Sequence, residues 1–354
     1  MTMAGRLLAA GLSAGVAVAA AATPAAGMDW PATLDTDLTA IDAAMHDSHP
    51  GLHDAHAPGF AAQLQDTLAL ARRRAQQVDS FAGYWWTLKG YTAAFNDGHV
   101  SLNALPAAPA LPMRWPGFLT GFEGDAQIVM ERAATSTQAP PLGAHLLSCD
   151  GVDAATLAAQ RVGAFNGRWN LQASRIHAGG ELLLDQGNPF VALPRRCRFR
   201  VDGQTRDITL QWRALDSAEV AAHLAATRRS FRPPNGLHAL PGGGYWITTG
   251  SFNADPGQPN FAELTALLQT LDTQRQALQR APQVVLDVRG NSGGASQWSI
   301  ALARLVWSAE AVARVRDDSF VEWRTSQANI DQLRGFLQKL RNAPDAAPEM
   351  VRML

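Results

Sequence analysis

VVLDVRGNSGGASQW, residues 284–298, is the stretch on which the reading of this chain turns. An apolar run, Val284–Leu286, meets Asp287 and then a glycine-rich turn from Gly290 to Gly294. The residues that follow, ASQWSIALARLVWSAE, carry apolar positions at three- and four-residue intervals. A short apolar run, a glycine turn and a helical period together predict strand, turn, helix. Ser292 also satisfies G-x-S-x-G, the turn that lifts a nucleophilic serine above a sheet. The stretch is therefore either a nucleophile turn or a glycine turn in which the serine is incidental.

Its surroundings extend the pattern. GGGYWITTGSF (242–252) is a glycine-led strand, FAELTALLQTLDTQRQALQR (261–280) an amphipathic helix, and PQVVLDVRG (282–290) a buried strand. Strand–helix–strand–helix order predicts a parallel sheet with crossover helices. The N-terminal part is helical: FAAQLQDTLALARRRAQQ (60–77), then SFAGYWWTLKGYTAAF (80–95) behind a serine cap, with Pro50-Gly51 breaking an earlier helix from these. GHVSLNAL (98–105) alternates and reads as a strand, followed by the proline-rich connector PAAPALPMRWP. AQIVMERA, GAHLLSCDG and CRFRVDGQTRDITLQW read as strands with Asp-Gly turns at 150–151 and 202–203, and DAATLAAQRV as a short helix. Residues 161–195 form an insertion without a clear period.

The first residues, MTMAGRLLAAGLSAGVAVAAAATPAAG, combine Arg6, an Ala- and Gly-rich apolar run and small residues before Met28. That is a secretory signal peptide, cleaved between about Ala21 and Met28. The run is short of the roughly 20 strongly apolar residues of a span, so no integral membrane span is expected after cleavage. The mature chain is expected in the periplasm or outside the cell. With a net charge of −1 and no basic tract, nothing supports nucleic-acid binding. Cys149 and Cys197 are the two cysteines. In an exported chain they are expected to form one disulfide, two separately buried thiols being the alternative.

Context decides against Ser292. An α/β-hydrolase elbow needs its acid and then its histidine downstream, and the last histidine is His238. A trypsin-like serine needs a two-barrel all-β fold, whereas Ser292 lies between a strand and a helix of parallel order. VVLDVRGNSGG followed by a helix instead resembles the glycine loop of the tail-specific (C-terminal processing) serine proteases, the family that includes the tricorn protease core. Other segments agree in order. HPGL (49–52) resembles the helical leader of members with a histidine base, and FNDGHVSL (95–102) their base-bearing segment. LGAHLLSCDGVDAATL resembles their PDZ-like module, and GYWITTGSF the strand that opens the protease core.

The resemblance implies an α+β multidomain chain: signal peptide 1–27, helical N-terminal domain 28–98, strand, linker and PDZ-like module with an insertion 99–215, and an α/β (ClpP/crotonase-like) protease core 236–354 lacking its C-terminal part. The implied chemistry is hydrolysis of peptides or unfolded proteins through an acyl-serine, with no metal or organic cofactor. His99 occupies the position of the general base. Gly293 and Gly294 are the oxyanion amides, where a Cβ would obstruct close backbone approach. Asp287, Arg289 and Asn291 hold the loop in shape. A Ser–Lys dyad is disfavoured, because the only lysines are Lys89 in the helical leader and Lys339 in the polar tail. The histidines His46, His49, His53 and His56 resemble a zinc set in composition, but HExxH is absent and Pro50-Gly51 interrupts the register. Capping and packing account for them better.

In the family the nucleophile comes from a second strand–turn–helix further downstream. Here Ser296, Ser299, Ser308, Ser319 and Ser326 follow the loop, and none has the small-residue setting of an exposed nucleophile turn. The chain is thus expected to be C-terminally incomplete, its sheet left open, and inactive as given. A non-catalytic peptide binder using the PDZ-like module is the competing function.

Overall fold

The computed structural model describes residues 27–136, 138–228, 234–253, 257–315 and 322–342. The signal-peptide reading, apart from Gly27, lies outside the described residues, as does Ser319. The chain divides near residue 229 into two compact units.

In the first unit, α1 (Trp30–Ser48) starts where the Asp29 carboxylate accepts the Ala32 N–H at 3.0 Å, satisfying one of the free amides of a first turn. It stops before Pro50, which cannot continue a helix. α2 (Phe60–Ala75) and α3 (Phe81–Ala93) follow, the latter capped by Ser80. Leu34, Leu38, Leu64, Ala71, Leu88 and Tyr91 recur at helical spacing and bury together.

The same unit holds a sheet. β1 (Arg114–Trp115) pairs with β8 (Arg213–Ala214). β2 (Phe118–Glu123), β3 (Ala126–Arg132), β4 (His145–Cys149), β6 (Arg196–Val201) and β7 (Gln204–Thr209) form an antiparallel run in that order, with β5 (Val152–Asp153) paired to β4. The Asp-Gly turns are the reason for two of the hairpins. Asp150 and Gly151 have φ of 48° and 87°, and Asp202 and Gly203 48° and 77°. Both central residues are left-handed, the conformation whose twist matches flanking strands. β6 alternates, with Cys197, Phe199 and Val201 inward. Around the sheet lie α4 (Ala154–Ala158), α5 (Ala164–Asn166), α6 (Gln172–Ala178) and α7 (Ser217–Ala226). The insertion at 161–195 is thus made of short helical turns, too brief to show a period, and it packs Leu182 and Leu183 fully into the core.

Cys149 and Cys197 stand opposite each other in the β4–β6 register, 4.0 Å apart at Cα, and are joined by a disulfide. The bridge spans 48 residues and stabilises by about 4 kcal/mol on the chain-entropy model. Thiol titration of the denatured, unreduced protein is expected to find no free thiol; two reactive thiols would refute the bridge.

GHVSLNAL is not a strand. Residues 98–105 form an irregular loop in which Val100 and Leu102 lean onto the helical core. Alternation supplies one apolar face, and a helical surface accepts that face without any ladder partner. Prolines at 106, 109 and 112 then keep the segment from pairing.

The second unit is built on a three-stranded sheet of order β11-β10-β9. β9 (Gly236–Leu240) and β10 (Gly244–Thr248) form an antiparallel hairpin through Gly242 and Gly243. α8 (Pro259–Thr273) and α9 (Arg275–Arg280) cross over to β11 (Val284–Asp287), which runs parallel to β10. α10 (Ser296–Trp307), α11 (Ala309–Ala313) and α12 (Gln327–Asn342) follow. Ile247, Leu267, Leu271, Leu278 and Leu302 form the core. β11 is less buried than its apolar run suggests: it is the edge of this sheet, and Leu286 is 40% exposed.

Candidate active site

The glycine loop connects β11 to α10 in the second unit. Asp287, at the end of β11, is buried and receives the Arg289 guanidinium in a fork, Nε at 3.0 Å and Nη2 at 2.7 Å, together with the Arg289 amide at 3.0 Å. These hydrogen bonds, the side-chain pair foremost, pull the Asp287 carboxyl down to about 2. A folded-state value below the unfolded one means that the ionised group stabilises the loop above the ordinary carboxyl range, and that this is lost as pH falls from about 4 toward 2. In Arg289→Met, the Asp287 carboxyl resonance is expected to titrate nearer the ordinary range in a carbon-13 NMR experiment. An unchanged midpoint would show that Arg289 does not hold it.

Beyond this pair, Asn291 accepts the Gly293 N–H on Oδ1 at 2.7 Å. Gly293 and Gly294 have φ of 102° and 126°, a region that side chains strain. Phe252, four residues past β10, grips the loop from both sides: its N–H donates to the Gly293 carbonyl and its carbonyl accepts the Ala295 N–H, each at 2.8 Å. A Cβ on Gly294 would overlap that Phe252 carbonyl oxygen, whereas a Cβ on Gly293 meets open space. Among the described residues the Gly294 N–H has no acceptor, and it is exposed beside the N-terminus of the 12-residue α10. The two glycine amides therefore differ. Gly293 is engaged by Asn291; Gly294 is open to an anionic oxygen, favoured there by the helix dipole.

Ser292 is exposed. Its hydroxyl lies 2.5 Å from the Ser251 hydroxyl, and its amide donates to the same Ser251 oxygen at 3.1 Å. The later serines serve local structure: Ser299 bonds the Ser296 carbonyl, Ser308 caps α11, and Ser326 accepts the Asn329 N–H.

His99 belongs to the first unit. Its loop leaves α3 through buried Phe95 and left-handed Asn96, whose Oδ1 accepts the Arg168 N–H at 2.8 Å. The His99 ring is 77% exposed, with Nδ1 3.5 Å from Asp97 Oδ1, while its amide donates to that oxygen at 2.8 Å. Partial burial works against ionisation of Asp97, but the His99 amide and the His49 and His99 rings outweigh it and hold the carboxyl below its usual range. His49 accepts the Gly51 N–H on Nδ1, stacks on Phe60 and turns Nε2 toward Asp97. Asp97 and Ser251 are residues that sequence reading passed over. An Asp two residues before a His is visible in NDGH as a side-chain turn; Ser251 leaves no signal without the fold.

No family model matches this sequence, and no curated protein does. Among solved structures, mature CPAF complexed with lactacystin is similar in fold, with a TM-score of 0.53 at 14% identity over 88% of this chain and 65% of that chain. This chain therefore spans about two thirds of the length of that relative, 65%. Mature CPAF and a serine-to-alanine mutant of it align with TM-scores of 0.48 and 0.49, at 15% and 14% identity, over 75% of this chain and 56% and 57% of theirs. The mixed helix-and-sheet fold is shared with CPAF on the alignment to its lactacystin complex. No helix among the described residues is long and apolar enough to cross a membrane.

Proposed function

We propose that this chain is an exported serine-type peptidase of the tail-specific protease kind, suited to peptides or unfolded proteins but inactive as given, since none of its serines is assigned as the nucleophile. The observation that carries the reading is the exposed, unengaged Gly294 amide at the start of α10, held by Phe252 in a turn that only glycine can form. An amide so placed suits the oxyanion of a tetrahedral intermediate. His99 is the general base, of the histidine-base, tricorn-like branch. The antiparallel sheet of the first unit is read as the PDZ-like module, behind the helical leader, and residues 236–354 as a partial ClpP/crotonase-like core. The CPAF likeness supports this through fold alone.

Ser292 is a bystander here, because its hydroxyl is paired with Ser251 rather than with a base. The test is digestion of unfolded protein followed by mass spectrometry, together with labelling by a fluorophosphonate, which reports serines activated by a base. The 354-residue chain is expected not to label on Ser292, and Ser292→Ala is expected to leave any hydrolysis intact. Labelling that disappears in Ser292→Ala would make this serine the nucleophile and overturn the assignment. A second reading, peptide binding without hydrolysis, is favoured by the engagement of the Gly293 amide with Asn291. Retention of unfolded peptide with no cleavage product, even after a family-type nucleophile segment is grafted on, would select it.

A further inference from the structure

HPGL and NDGHV, whose histidines lie 50 residues apart in sequence, converge on one carboxylate. Asp97 stands between two imidazoles, with Oδ2 3.6 Å from His49 Nε2 and Oδ1 3.5 Å from His99 Nδ1. His49 is fixed. Its Nδ1 accepts the Gly51 N–H at 3.0 Å, and its ring lies parallel to Phe60 with centroids 4.6 Å apart. Since the Nδ1 lone pair is used, the His49 proton sits on Nε2 and faces Asp97. The carboxylate cannot easily turn away either, because Oδ1 also accepts the His99 amide, and neighbouring Asn96 is tied to the Arg168 amide.

We propose that Asp97, backed by His49, is the positioning carboxylate of His99: it keeps the proton of the neutral ring on Nδ1 and leaves Nε2 as the basic nitrogen. A free imidazole side chain favours the opposite tautomer, so an orienting acceptor at Nδ1 is what makes Nε2 available to take a proton. The 3.5 Å separation in the exposed ring is of the loose kind that tightens when a substrate encloses the site. The proposal rests on the reading of His99 as a general base, but the ring state it asserts is measurable without any activity.

The experiment uses the full chain labelled with nitrogen-15 in histidine, with the His99 resonances assigned by their loss in His99→Gln. At a pH where the ring is neutral, the wild type is expected to show a pyrrole-type Nδ1 and a pyridine-type Nε2. Asp97→Ala is expected to reverse the two. Asp97→Asn keeps an oxygen for the His99 amide and so preserves the turn, yet it too should move toward the Nε2–H form because the charge is gone. His49→Ala should move it the same way by less. In a preparation that hydrolyses peptides, Asp97→Ala is expected to lower kcat by about 10-fold or more with KM within about two-fold. A wild-type His99 found mainly as the Nε2–H tautomer, or tautomer populations unchanged in Asp97→Ala, would overturn the proposal. Reversal in Asp97→Ala with kcat unchanged in a preparation that hydrolyses peptides would leave the positioning intact and remove His99 as the base instead.

Discussion

Gly294→Val is expected to eliminate the function of the glycine loop, while Gly293→Ala is expected to leave most of it. At Gly294 two penalties coincide. Its φ of 126° is strained for any side chain, and its Cβ would overlap the Phe252 carbonyl. The loop could then escape only by giving up the two 2.8 Å hydrogen bonds through which Phe252 holds Gly293 and Ala295. Strain and lost bonds together are worth about 3 kcal/mol or more in urea denaturation. In a preparation that hydrolyses peptides, loss of the oriented Gly294 amide should lower kcat by about 10²–10³-fold, the range for one oxyanion donor. Gly293→Ala meets only open space, so its cost is the backbone term alone, about 1–2 kcal/mol. Equal effects at the two glycines, or a Gly294→Val protein with full activity, would show that the loop is merely a connection between β11 and α10.

His99→Ala is the second large effect, and it should fall on rate rather than on stability. The ring is 77% exposed, so its removal is expected to change unfolding free energy by no more than about 0.5 kcal/mol. The amide bond to Asp97 that shapes the turn belongs to the backbone and survives the substitution. If His99 is the base, kcat should nevertheless fall by about 10²–10⁴-fold. Activity that drops only in proportion to a lower melting temperature would return His99 to an ordinary surface histidine.

Much of the architecture was legible in local chemistry. Ser80 and Pro50 mark helix boundaries because capping and a missing N–H act within one turn of the chain. The Asp-Gly pairs at 150–151 and 202–203 announce hairpins because their left-handed φ values are a property of the residues themselves. The strand–turn–helix at 284–307 followed from periodicity and from the glycine run between its two elements. Tertiary structure decided what depends on partners distant in sequence. GHVSLNAL alternates as a strand would, yet it forms none, since a ladder needs a neighbour and the helical core took its apolar face instead. The insertion at 161–195 is too short in each turn to declare a period, and only burial of Leu182 and Leu183 gives it a shape. The two glycine amides look equivalent in sequence; Asn291 and Phe252 make them unequal by engaging one and crowding the other. Asp97 has His99 beside it in sequence, but it acquires its second imidazole only because His49, at the C-terminal cap of α1, comes within 3.6 Å of it in the fold. Residue chemistry, propensity and backbone freedom are written into the chain position by position, whereas which groups share a hydrogen bond or a carboxylate is a property of distance, and folding alone sets distance.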